Sequence, residues 1–79
     1  MTPDTAFACI KGALEKAIKR DVAITPETDL IEEGIVDSLE GMSFIMELET
    51  MSGKTVPEDG DLVELGFYKV DFLIKFLTA

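Results

Sequence analysis

Apolar residues recur along this chain at helical spacing, and nowhere does the two-residue alternation of a half-buried strand persist. Near the N-terminus Phe7, Ile10, Leu14, Ala17 and Ile18 fall on one side of a wheel with 3.6 residues per turn. Ahead of them Thr2 supplies a hydroxyl cap, Pro3 a preset φ at the first turn, and Asp4 a carboxylate near the positive end of the dipole. A first helix is therefore expected from about Thr2 to Lys19, slightly weakened by Gly12, with Lys16, Lys19 and Arg20 favouring its negative end. From Asp21 to Asp37 the period is lost: Thr25-Pro26 excludes a helix and Gly34 marks a turn. Val22, Ile24, Leu30, Ile31, Ile35 and Val36 are too many apolar residues for a free linker. The long loop should pack over the helices, with one helical turn near Asp29 to Glu32.

A second helix begins at Ser38, whose side chain can cap it, and ends before Ser52-Gly53, where a left-handed C-cap fits. It carries two apolar stripes. Phe44, Ile45, Leu48 and Met51 fall on one side and read as core. Leu39, Met42 and Met46 fall on the other, flanked by Glu40 and Glu47 on one edge and Glu49 on the other, and read as an exposed docking strip with an acidic rim. The competing role for Met42 and Met46 is gap-filling beneath the loop or the third helix. Gly41, one turn in, should loosen this helix. Pro57 can open a short third helix across Glu58 to Leu65, closed by Gly66 and weakened by Gly60. A last helix from about Lys69 to Leu77 sets Val70, Leu73, Ile74 and Leu77 on one side, with Phe72 and Phe76 broadening the face. The expected fold is all-α: four helices around one core, the third short, in a single domain spanning residues 1–79.

Length and charge then narrow the function. Seventy-nine residues bury a modest fraction of their surface, somewhat above the ~60 % typical of 60 residues, which leaves no room for a deep active-site cleft. A hydrophobic content of 47 % supports a true core despite a net charge of −9. The charge is polarised. Residues 27 to 64 hold twelve of the sixteen carboxylates and one cation, Lys54, whereas the first twenty residues carry Lys11, Lys16, Lys19 and Arg20. Nucleic acid is a poor partner for such a surface. Basic protein surfaces are its complement, and that attraction weakens with salt.

Without histidine, tryptophan or a second cysteine, Cys/His and Ser/His/Asp chemistry is excluded and zinc loses its usual ligands. No phosphate-cradling glycine pattern is present. Cys9 cannot form an intrachain disulfide and lies off the apolar face of the first helix, so nothing calls for an oxidising compartment. No secretory signal pattern or run near the ~20 apolar residues of a membrane span occurs. A cytoplasmic monomer without catalytic residues is expected. Ser38 has no base to make it a nucleophile, so its interest lies in what another protein does to it.

Asp29-Leu30 through Gly34-Ile35-Val36-Asp37-Ser38-Leu39, then a long helix, Gly53, Val56-Pro57, and Phe67 followed by Val70-Asp71 and an apolar helix, together resemble the acyl carrier protein family. The resemblance covers nearly the whole chain, in order. It implies a four-helix carrier whose Ser38 receives 4′-phosphopantetheine covalently from a phosphopantetheinyl transferase. The thiol of that arm would hold acyl or aminoacyl groups as thioesters, loaded by an activating ligase and passed to acyl-transferring or modifying enzymes. Asp37, Glu40 and Glu47 would then meet basic docking surfaces, while Leu39, Met42 and Met46 fill an apolar groove on the partner. Gly34 stands four residues before Ser38, where many fatty-acid carriers have glycine three before the serine; that spacing is similar to D-alanyl and other aminoacyl carriers, or to specialised stand-alone carriers. Lys69 stands where family members often have a hydroxyl cap.

Two other readings compete. In the twelve residues Asp29 to Glu40 an EF-hand calcium loop would find ligands at Asp29, Glu33, Asp37 and Glu40 and its glycine at Gly34, although Ile31 cannot ligate and Thr25-Pro26 interrupts the entering helix. Alternatively, a carrier-like adaptor would dock through the second stripe and never take a prosthetic group.

Overall fold

The computed structural model arranges the chain as α1 (Pro3–Ile18), α2 (Ser38–Ser52), α3 (Leu62–Leu65) and α4 (Val70–Thr78). The structure describes residues 1–57 and 60–79, and among these no strand forms. The all-α expectation holds. Thr2 caps α1, its hydroxyl accepting the Thr5 N–H at 3.2 Å with Pro3 in the first turn. Helix α1 packs against both α2 and α4. It buries Ala6, Ile10, Ala13, Leu14 and Ile18, while Phe7 and Ala17 lie half-buried at the edge. The two alanines, unforeseen as core, present little bulk where the neighbouring helices pack.

Phe44, Ile45 and Leu48 of α2 face this core, as their spacing predicts. Met51 does not: it is 41 % exposed, its terminal methyl lying over Gly12 of α1, 3.0 Å from where a Cβ would stand. Leu73 and Leu77 of α4 complete the core with Val70. Phe72 and Phe76 both stand edge-on to Phe67, at centroid distances of 5.0 and 5.2 Å. Lys69 makes no side-chain cap to α4, as expected. At the other end of α4, Lys54 Nζ donates to the carbonyls of Phe76 at 3.0 Å and Ala79 at 2.9 Å, a cation at the negative end of a helix.

The loop from Asp21 to Asp37 is a structural layer. It buries Leu30 and Val36 completely or nearly so, with Val22, Ile24, Ile31 and Ile35 half-buried against the core. Its single helical turn forms where expected: Asp29 Oδ1 accepts the Ile31 and Glu32 N–H groups, and the Glu33 N–H reaches the Asp29 carbonyl at 3.0 Å. An isolated antiparallel bridge between Asp29 and Lys69 ties this turn to the start of α4. The Leu30 N–H donates to Tyr68 O at 2.8 Å and the Val70 N–H to Thr28 O at 3.0 Å. Leu30 O in turn accepts the N–H groups of Ile35 and Val36, which delivers the chain to the start of α2. From the other side Arg20 Nη2 donates to Ile35 O at 3.2 Å.

The third helix is shorter than predicted. The expected opening at Pro57 crosses Glu58 and Asp59, which lie outside the described residues. Gly60 has φ 95°, so α3 begins only beyond it, with Asp61 Oδ1 accepting the Val63 N–H at 2.9 Å and Gly66 closing the helix. Four residues remain, none of them buried.

Gly41 also departs from expectation, since it is buried rather than loosening. A Cβ there would meet Tyr68 Cε1 at 2.9 Å and Oη at 3.0 Å, so the absent side chain admits the Tyr68 ring against the first turn of α2. Gly41→Ala should lower stability: an overpacking cost of about 1–3 kcal/mol exceeds the roughly 1 kcal/mol that alanine contributes inside a helix. Urea midpoints decide the sign, and a more stable variant would show that Tyr68 moves aside freely.

Candidate functional site

The start of α2 is organised by Asp37, not by Ser38 as the sequence suggested. Asp37 has extended backbone at φ −92° and ψ −174°, and its Oδ1 accepts the Glu40 N–H at 2.8 Å. Glu40 Oε1 reaches back to accept the Asp37 N–H at 3.2 Å, completing a reciprocal capping box. Aspartate outcompetes serine here because an ionised acceptor makes the stronger bond to backbone N–H and also meets the positive helix end. Ser38 is thereby displaced by one position into the helix, exposed to solvent, and its hydroxyl has no hydrogen-bond partner among the described residues. A hydroxyl so placed is not committed to its own backbone.

Of the residues predicted beside it, Leu39, Met42 and Met46 are 74, 65 and 66 % exposed. They are not gap-fillers in the core. Asp37 is exposed, and Glu40 and Glu47 are half-buried on the same helix. Met42 and Met46 also stand over a groove of ≈ 410 Å³ that runs toward Val56, Pro57, Gly60 and Leu62. Glu49, foreseen as part of the rim, instead accepts the Val56 N–H through Oε2 at 2.7 Å and so pins the groove's far wall to α2. That wall was not foreseen, because Val56 and Leu62 are too isolated in sequence to show a periodic face. Val63 and Leu65 of α3, 51 and 45 % exposed, extend the apolar surface beyond α2. Burial under the loop and the ring of Tyr68, by contrast, takes Val36 and Gly41 out of the accessible surface.

The calcium-loop alternative is not assembled. Asp29 and Asp37 cap two separate turns, Glu33 Oε2 accepts the Asp29 N–H at 3.1 Å, and Glu40 is held by the capping box. Among the described residues no three His, Cys, Asp or Glu side chains converge on a common point. Cys9, half-buried on α1, has its thiol pKa raised by that burial and is poorly suited to nucleophilic work. Among the described residues no helix is long and apolar enough to cross a membrane.

The family model described as the phosphopantetheine attachment site matches residues 9–67, and the chain belongs to that family. It is a carrier protein of the acyl carrier protein type, and its cofactor is covalently attached 4′-phosphopantetheine. No curated protein and no solved structure matches the chain.

The capping geometry separates two neighbouring substitutions. Asp37→Ala should lower stability by about 1 kcal/mol, as for other lost caps, whereas Ser38→Ala should change it by less than about 0.5 kcal/mol, as for a surface position without a structural partner. Thermal melts of the two variants measure this directly. A larger loss in Ser38→Ala would return the capping role to serine.

Proposed function

We propose that Ser38 carries the arm and that the chain shuttles acyl groups, held as thioesters on it, between partner enzymes. The observation supporting this most strongly is the division of labour at the helix start: Asp37 and Glu40 satisfy the backbone, and Ser38 Oγ is left exposed and unbonded. The residues present suit a phosphodiester. The hydroxyl is exposed at the positive end of a fifteen-residue helix, which favours an anion. When bound, the group supplies a long tether ending in a thiol, which is why the chain itself needs no catalytic side chain. The histidine-free sequence offers no evident base, so removal of the Ser38 proton falls to the transferase.

The partner surface in this reading is Asp37, Leu39, Glu40, Met42, Met46 and Glu47. Methionine side chains adapt to differently shaped apolar grooves, and carboxylates at the edge steer basic surfaces into register. The groove beside Met42 and Met46 favours an acyl cargo, since Ile45, Val56 and Leu62 line it with hydrocarbon and the carboxylate of Glu49, which also lines it, is engaged by the Val56 N–H. The aminoacyl reading draws on the spacing between Gly34 and Ser38. Loading assays with fatty-acyl and amino-acid activating ligases separate the two. A net charge of −9 disfavours self-association, and a lone cysteine suits a reducing compartment, so the carrier is read as a cytoplasmic monomer.

Intact mass after incubation with coenzyme A and a broad-specificity transferase should show one added phosphopantetheine, and Ser38→Ala should show none. Unmodified wild type, or modification that survives in Ser38→Ala, refutes the assignment. For the docking surface, Glu47→Lys and Met46→Glu test charge and apolar contact without touching the capping box that Glu40→Lys would break. Each should slow transfer to or from a partner by about tenfold, the equivalent of 1.4 kcal/mol, with melting unchanged. For wild type the transfer rate should fall as salt rises. Unaltered kinetics in both variants would place docking elsewhere.

A further inference from the structure

Gly41 and Tyr68 form a size-complementary pair at the first turn of α2. On a helix the Cα–Cβ bond tilts toward the N-terminus, so the space left by Gly41 lies over the turn that contains Ser38. The Tyr68 ring occupies that space, with Oη 3.0 Å from the position a Cβ on Gly41 would take. Ser38 is three residues before Gly41, the spacing that makes two positions neighbours on one helix face, about 5–6 Å apart.

Tyr68 is only 6 % exposed, yet its hydroxyl has no hydrogen-bond partner among the described residues. Among the described residues no fully buried side-chain oxygen or nitrogen lacks a partner, and the Tyr68 Oη stands at the tip of its ring, against the first turn of α2. Buried tyrosines ordinarily satisfy this group within the protein. Burial and the negative charge of Asp61 raise the pKa of Tyr68, which keeps the hydroxyl protonated and therefore a donor. Packing of the ring between Gly41 and the core fixes the direction of that donor.

We infer that Tyr68 is a positioning residue for the arm, its Oη donating a hydrogen bond to an acceptor oxygen in the arm's first segment, the phosphodiester or the amide beyond it. The inference rests on Ser38 as the attachment residue. It gives the tether a preferred direction along the Tyr68 side of α2, toward α3, in place of free rotation about the serine.

Tyr68 is the one tyrosine of a chain without tryptophan, so intrinsic fluorescence reports on it alone. Wild type and Tyr68→Phe are each converted to the arm-bearing form, checked by intact mass, and compared by phosphorus and proton magnetic resonance of the arm. In Tyr68→Phe the arm signals should shift toward those of free phosphopantetheine, and wild-type fluorescence should change on modification. Gly41→Ala, which keeps the hydroxyl but pushes it aside, should shift the arm signals in the same direction. Arm signals identical across fully modified wild type and variants overturn the role of Tyr68 and leave Ser38 standing. Absence of added mass on wild type overturns both.

Discussion

Every helix start must satisfy N–H groups that have no partner within the helix. In this chain that requirement decides the availability of Ser38. Had Ser38 met it, the hydroxyl would be committed to its own backbone, and modifying it would cost a cap. Asp37 and Glu40 meet it instead, each bonding the other's N–H at 2.8 and 3.2 Å. The arrangement places an exposed hydroxyl one residue inside a rigid helix, where its position is fixed by backbone geometry and its oxygen is not. Rigidity and chemical availability, usually opposed at a serine, are assigned to neighbouring residues.

The capping box is itself held by the loop that precedes it. Leu30, fully buried, accepts the N–H groups of Ile35 and Val36 and donates to Tyr68 O, while Val36 buries its side chain against the core. Seventeen residues without a helix of their own therefore behave as a packed layer rather than as a linker. Tyr68 belongs to both arrangements: its carbonyl anchors the loop and its ring supports the first turn of α2 through Gly41. The start of α2 thus sits where the loop and the approach to α4 converge, even though α3 and α4 contribute no residue to the first turn.

The sequence was informative wherever one strong local force acts. Thr2 with Pro3 and Asp4, and Gly53 after a long periodic run, predicted helix ends because caps are chosen by side chains within a few residues. The opposite faces of α2 were legible because periodicity reports two directions as readily as one. Competition between adjacent groups was harder to read: Asp37 and Ser38 are both good caps, and the one signal that separates them is Glu40, three residues after Asp37, which completes the capping box. Tertiary contacts were hidden altogether. Gly41 looked like a weakness because its partner lies twenty-seven positions away, and Met51 kept the right period yet slid out over Gly12 where α1 and α2 cross. The groove wall at Val56 depends on Glu49 turning from the rim to the backbone, which no pattern of charges announces.

Magnitudes explain why so exposed an apolar strip suits a protein proposed to visit many partners. Burying three large side chains such as Leu39, Met42 and Met46 would contribute at most about 1.5–3 kcal/mol each. Association alone opposes binding by an estimated 4–15 kcal/mol, so the strip by itself holds a partner weakly. Specificity and speed must then come from the carboxylates, which act at distances of about a Debye length and affect encounter more than residence. A wider apolar patch would lengthen each visit and make release of a modified cargo slow. A narrower one would leave only screened charge, with nothing to set the orientation of Ser38 at its destination. Three residues on one face of a helix, beginning next to the serine, lie between those limits, and any partner that reads them is brought within one helical turn of the proposed tether.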